Sequence, residues 1–141
     1  MIAYFDTSAY LKTLLADEAS PVVRALWDDA EQVVVSLLLY PEVLSGVARA
    51  RRDRRPLTVS EGDLPRVLHA DMDGAQVVAP TFRVVREAGE IAKARSLRGF
   101  DAVHLASAKQ AGPDVVLVTA DKRLAAAADE EGVVVLFLVA A

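Results

Sequence analysis

The chain has 141 residues, 53% hydrophobic and 26% charged, with 20 acidic against 16 basic side chains and a formal net charge of -4. That length and composition suit one folded domain that buries about two-thirds of the surface its unfolded form exposes, and they exclude a disordered tail. The chain has no cysteine, which excludes disulfides, thiolate metal sites and cysteine nucleophiles together and fits a reducing, cytoplasmic address.

In chain order, the first apolar run is residues 2–5 (IAYF), a predicted strand. No basic or long apolar leader precedes it, so no secretory signal is read. Val22, Val23, Leu26, Trp27 and Ala30 follow helical spacing and predict a helix over 21–30, with Ser20 as N-cap and Pro21 as first helical residue. Residues 33–36 (VVVS) predict the second strand, and the helix after it carries Glu42 near its start in LLLYPEVL. Residues 49–58, rich in arginine and holding Pro56, read as a loop. Ser60 and Asp63 resemble a capping box opening another helix, with Gly62 and Pro65 against it.

Further strands are predicted at 76–79, 115–118 and 133–138. Helices are predicted over 81–97 running on to Gly99, over 101–111 ending at Gly112-Pro113, and over 122–131 ending at Gly132. The longest apolar run, Val133 to Ala141, falls well short of the roughly 18 residues of a membrane span, so a soluble protein with no membrane partner is expected.

The strands are short and almost wholly apolar, as strands covered on both faces are. Their order, β-α-β-α-α-β-α-α-β-α-β, predicts an α/β fold spanning 1–141 as one domain: a three-layer α/β/α sandwich with right-handed crossovers around a five-stranded parallel sheet, order 3-2-1-4-5.

Four acids occupy element junctions instead of solvated helix faces: Asp6 after the first strand, Glu42 and Asp101 in first helical turns, and Asp121 after the fourth strand. Ligands of open parallel sheets bind at the carboxyl edge where strand order reverses. In the 3-2-1-4-5 order Asp6 and Asp121 face one another there, with Glu42 and Asp101 converging from neighbouring helices. Gathered carboxylates repel unless a cation joins them. Oxygen ligands alone select Mg²⁺, or Mn²⁺ in its place, and suit metal-assisted phosphodiester hydrolysis.

DTSA at 6–9, the Glu42 helix, FDAVHLA at 100–106 and TADKRL at 119–124 resemble the motifs of PIN-domain nucleases, and the match covers nearly the whole chain. Size and motif order are most similar to the VapC family, toxin subunits of type II toxin-antitoxin systems. The resemblance implies a metal-dependent endoribonuclease acting on RNA and blocked by a small cognate antitoxin. It implies Asp6, Glu42, Asp101 and Asp121 as the catalytic, metal-holding acids and Ser8 and Thr119 as accompanying hydroxyls. A homodimer is the simplest self-association.

Simpler roles stand beside these. Asp6, Asp101 and Asp121 could cap the helices they precede or open, and Glu42 could serve its helix dipole. Ser8 and Thr119 could satisfy backbone groups. His104, one turn after Asp101, could reach the same pocket but reads first as a packed or hydrogen-bonded histidine, and Trp27 reads as core. Arg49, Arg51, Arg52, Arg54 and Arg55 suit RNA phosphates or form a solvated helix end.

A haloacid-dehalogenase phosphatase needs a second Asp where Ser8 stands. A receiver domain needs an Asp and a Lys where Ala79-Pro80 and Ala140-Ala141 stand. The rival from another class is a catalytically idle PIN-like module that binds RNA or protein.

Overall fold

The computed structural model describes residues 1–139. Its five strands are β1 (Ile2–Phe5), β2 (Gln32–Ser36), β3 (Gln76–Val78), β4 (Val115–Thr119) and β5 (Val134–Phe137). All pair in parallel in the order β3-β2-β1-β4-β5, so the predicted topology is the observed one. The last two residues of the apolar C-terminal run, Ala140 and Ala141, lie outside the described residues. Among the described residues, no helix is long and apolar enough to cross a membrane.

Alternation along the strands divides the core into two layers. Ala3, Phe5, Val33, Val35 and Val118 pack beneath α1 (Thr7–Leu14), α2 (Ser20–Asp29), α3 (Leu39–Arg52) and α4 (Leu64–Asp73). Tyr4, Val34, Val115 and Leu117 pack beneath α5 (Phe82–Arg95), α6 (Gly99–Lys109) and α7 (Lys122–Glu130). β1 is buried on both faces at the centre, with β4 as its neighbour, so the chain leaving β1 emerges where the sheet's winding reverses.

Between β1 and β2 the single helix expected from the sequence is in fact two. α1 has only eight residues, below the length at which a helix holds by itself. It forms because Asp6 caps it, accepting from Ala9 N at 2.9 Å, and because Ala9, Tyr10, Thr13 and Leu14 are buried. α2 is not capped by Ser20. Its hydroxyl turns inward to donate to the Thr13 carbonyl at 3.0 Å, while Asp17 Oδ1 takes the Ala19 and Ser20 amides at 3.0 and 3.1 Å.

The expected 49–58 loop is shortened by α3, which runs through Arg49, Arg51 and Arg52. The rest is tied to the end of α1 by Ala16 N to Pro56 O at 3.0 Å and Thr58 N to Leu14 O at 2.7 Å. Ser60 Oγ accepts from Asp63 N at 3.2 Å but Asp63 makes no side-chain cap in return. Pro65 sits in the first turn of α4, where a missing N–H is harmless. α5 stops at Arg95 because Ser96 adopts the left-handed region (φ 55°), and Gly99 opens α6 instead of closing α5.

Two contacts set the helices around the site. A Cβ at Gly46 would lie 2.6 Å from Leu11 Cδ1, so glycine there lets α3 lie close against α1. Farther out, Arg24 of α2 pairs bidentately with Asp71 of α4 at 2.8 Å, and Tyr10 of α1 donates to the same carboxylate at 2.6 Å. Losing Asp71 strands a buried phenol and a part-buried guanidinium. Asp71→Ala should therefore cost about 2–3 kcal/mol, the lower end applying because the Arg24 side chain is 38% exposed. Scanning calorimetry should show a Tm lower by about 5–10 °C. An unchanged Tm would mean that this three-helix tie contributes nothing.

Candidate active site

Asp6 follows β1 directly and is 4% exposed. Its Oδ1 accepts from Ala9 N (2.9 Å) and Ser8 Oγ (2.8 Å), and its Oδ2 from Thr119 Oγ1 (2.6 Å) and, sharing the Ser8 proton, from Ser8 Oγ (2.9 Å). The two hydroxyls are fixed in turn, Ser8 Oγ by Ala120 N at 2.9 Å and Thr119 Oγ1 by Asp121 N at 3.0 Å. Ser8 and Thr119 thus each donate to the Asp6 carboxyl and each accept from a backbone amide.

Glu42 lies in the first turn of α3, where its Oε1 accepts from Thr7 Oγ1 at 2.8 Å and meets His104 Nε2 at 2.7 Å. His104 Nδ1 lies 2.7 Å from the Tyr4 hydroxyl. The histidine is buried and hydrogen-bonded, as its place on an apolar helix suggested; that its partner is Glu42 was not anticipated. Burial raises the Glu42 carboxyl, but the His104 hydrogen bond and charge and the Thr7 hydroxyl outweigh it, leaving Glu42 below the usual carboxylate range. Burial, then the charges of Asp6 and Glu42, push the Tyr4 phenol well above its ordinary value. Tyr4, Asp6, Glu42 and His104 therefore form one electrostatic neighbourhood.

Asp101 and Asp121 are held by other partners. Asp101, in the first turn of α6, meets Arg98 Nε at 3.3 Å. Asp121 caps α7, its Oδ1 accepting from Arg123 N at 2.9 Å and Leu124 N at 3.1 Å. Asp6 and Asp121 are linked through Thr119 and a backbone amide, not carboxylate to carboxylate. Among the described residues, no three acidic or imidazole side chains are grouped closely enough to hold one ion.

The donors at the sheet edge nevertheless suit a hard divalent cation, being carboxylate and hydroxyl oxygens. Such an ion usually needs only one or two protein carboxylates, the rest of its shell being water and substrate phosphate. Glu42 Oε2, which accepts none of the described hydrogen bonds, is the freest of the inner carboxylate oxygens.

Two cavities of about 930 and 440 Å³ flank Glu42 and share Leu38, Glu42, Arg49 and Phe100 in their walls, forming one groove. Asp101 and Arg98 line the larger one along with apolar Pro80, Val85, Ala92 and Val103. The arginine cluster divides: Arg49 reaches this groove, Arg51 pairs with Glu61 at 3.2 Å, and Arg52, Arg54 and Arg55 point to solvent from the end of α3 and the loop after it.

A parallel sheet in this order, with carboxylates at the carboxyl ends of its central strands, defines an α/β sandwich of the PIN type. The chain belongs to the PIN domain family, whose model matches residues 3–130. It is 40% identical over 133 residues to "Ribonuclease VapC45" of Mycobacterium tuberculosis (strain CDC 1551 / Oshkosh), spanning 93% of this chain and 92% of that one. Among solved structures it is similar to PAE2754 from Pyrobaculum aerophilum (TM-score 0.67, 21% identity, 96% and 92% of the two chains). It is also similar to VapBC2 from Rickettsia felis bound to a DNA fragment from its promoter (TM-score 0.65, 12% identity, 98% and 99%).

Burial raises the Asp6 carboxyl above its ordinary value of 3.8, against the pull of His104 and the hydrogen bonds from Thr119, Ala9 and Ser8. The folded protein thus holds this proton more tightly than the unfolded chain. The stability so gained is complete below 3.8 and is lost as pH climbs through the raised value. Asp6→Asn cannot ionise and still accepts as a cap. In metal-free buffer its Tm relative to the parent should climb from pH 4 to pH 7, reaching or passing parity at pH 7. A variant destabilised at every pH would make the carboxylate itself structural.

Proposed function

We propose that the chain is a Mg²⁺-dependent endoribonuclease that hydrolyses RNA phosphodiester bonds as the toxin of a toxin-antitoxin pair, Mn²⁺ substituting for Mg²⁺. The observation that carries the reading is a groove in which Glu42 and Asp101 face the same space as Arg49 and Arg98, in a chain 40% identical to a protein named as a ribonuclease. Acids beside guanidinium groups suit a substrate that is anionic but reacts through a cation.

Glu42 and Asp101 would hold the ion from the groove, with Asp6 and Asp121 at the strand ends completing the acidic edge. When bound, the ion supplies acidification of water and neutralisation of charge developing on the phosphate. The chain's own residues do the placing. Thr7 and His104 hold Glu42, Ser8 and Thr119 hold Asp6, and the Arg49 fork takes a phosphate oxygen pair on the neighbouring nucleotide.

A protein partner suits the same surface. Phe82, Val85 and Phe100 are 80%, 46% and 65% exposed, and Val85 and Phe100 line the groove itself. A small antitoxin covering that apolar face could place a basic side chain between Glu42 and Asp101 and so keep the ion out. Without it, a second copy of the chain is the simplest cover.

Incubated with total RNA, the purified chain should cut with Mg²⁺ or Mn²⁺ and stop in EDTA. Asp6→Asn and Glu42→Gln should lower the rate by orders of magnitude, while Arg49→Ala should raise KM more than it lowers kcat. Expressed alone it should halt growth of a bacterial host, with rescue by the small reading frame beside it. Cleavage that persists in EDTA would sink the metal mechanism. Metal-independent RNA binding without cleavage would make the chain a binding module.

A further inference from the structure

α6 is the most deeply buried helix of the fold, and every residue from Ala102 to Ala108 is buried. A histidine in that stretch is costly unless both ring nitrogens find partners. They do, at 2.7 Å to the Tyr4 hydroxyl on Nδ1 and 2.7 Å to Glu42 Oε1 on Nε2. Tyr4 is itself polar where β1 has otherwise only Ile2, Ala3 and Phe5, and it is fully buried. A phenylalanine would fill that place without a hydroxyl to satisfy.

The direction of the Glu42 hydrogen bond follows from the donor inventory: a carboxylate only accepts, so Nε2 carries the proton directed at Glu42. At the other end of the ring the Tyr4 hydroxyl meets Nδ1, which anchors the imidazole with Nε2 toward Glu42. Oε1 receives that donor and Thr7 Oγ1 together, from α6 and α1, which fixes the carboxylate while Oε2 accepts none of the described hydrogen bonds.

We propose that His104, oriented by Tyr4, is a positioning residue that holds the Glu42 carboxylate in the geometry that receives the divalent cation. This rests on the nuclease reading above, but its first readout does not need cleavage. His104→Leu keeps bulk and removes the donor. His104→Gln puts an amide N–H at similar reach. Tyr4→Phe removes only the hydroxyl that anchors Nδ1.

Mn²⁺ titration of each metal-free protein, followed by electron paramagnetic resonance, measures the ion directly, and calorimetry reports folding. His104→Leu should weaken Mn²⁺ binding about 10- to 100-fold, the range for loss of a group that orients a metal ligand, with a Tm lowered by several degrees because the buried Tyr4 hydroxyl loses its partner. His104→Gln should restore binding to within a few-fold, and Tyr4→Phe should lie between. In RNA cleavage at saturating Mn²⁺, the loss should fall on kcat and not on KM for RNA.

Parent-like Mn²⁺ affinity in His104→Leu overturns the proposal and leaves His104 a core residue, whatever the parent does to RNA. Should His104→Leu not fold, Tyr4→Phe decides alone, and parent-like affinity there overturns it equally. Lack of Mn²⁺ binding by the parent also overturns it. A Mn²⁺ effect in the variants of a parent that cuts no RNA would leave the positioning role standing and remove the nuclease reading.

Discussion

One buried carboxyl ties the sheet to its first crossover. Asp6 receives donors from α1 through Ala9 N, from the Ser8 side chain and from the end of β4 through Thr119. Burial opposes its charge, and the hydrogen bonds only partly offset that opposition. The arrangement holds because a free N-terminal turn, two hydroxyls and the Ala120 and Asp121 amides would otherwise lack partners at the crowded edge between β1 and β4. The same residue is thus both a cap on α1 and the acid nearest the point where the sheet reverses. Its two possible roles are not alternatives.

Glu42 reaches that edge by packing. Gly46 lets Leu11 lie close to the α3 backbone, which brings the first turn of α3 against the first turn of α1 and so Glu42 against Thr7. From the opposite layer α6 delivers His104 past Tyr4 to the same carboxylate. Elements on both faces of the sheet therefore meet on one glutamate at its carboxyl edge, where open parallel sheets gather their ligands.

How much of this could be read beforehand depended on range. The strands were legible because each is a short apolar run, and the order of the sheet because one topology places Asp6 beside Asp121. α1 was not, because eight residues with two threonines and a tyrosine carry little helical signal, and its stability comes from a cap and from burial. Ser20 looked like a cap and is instead pinned to Thr13, a contact that exists only once α1 exists. The four acids stood out singly, but their partners did not. Glu42 and His104 are 62 positions apart, and nothing local announces such a pair. Two signs were available: His104 stands one turn after Asp101, within reach of the same pocket, and Tyr4 puts a hydroxyl inside an otherwise apolar strand.

The surplus of acids over bases, 20 to 16, sits uneasily with a polyanionic ligand until its placement is considered. Asp6 is partnered on both oxygens, Asp121 faces the amides of α7, and Glu130 and Glu131 are tied to Arg95 and Lys109 on the side of the molecule where α5, α6 and α7 end. What the groove offers is a smaller and more even set: Glu42 and Asp101 against Arg49 and Arg98. There the field is set by two carboxylates and two guanidiniums along a largely apolar wall. An ion at the acids would turn that local balance positive, so the cation and the phosphate should each favour the other's arrival. Overall charge is a poor guide to such a site, because it sums groups tied elsewhere with the few that line the groove.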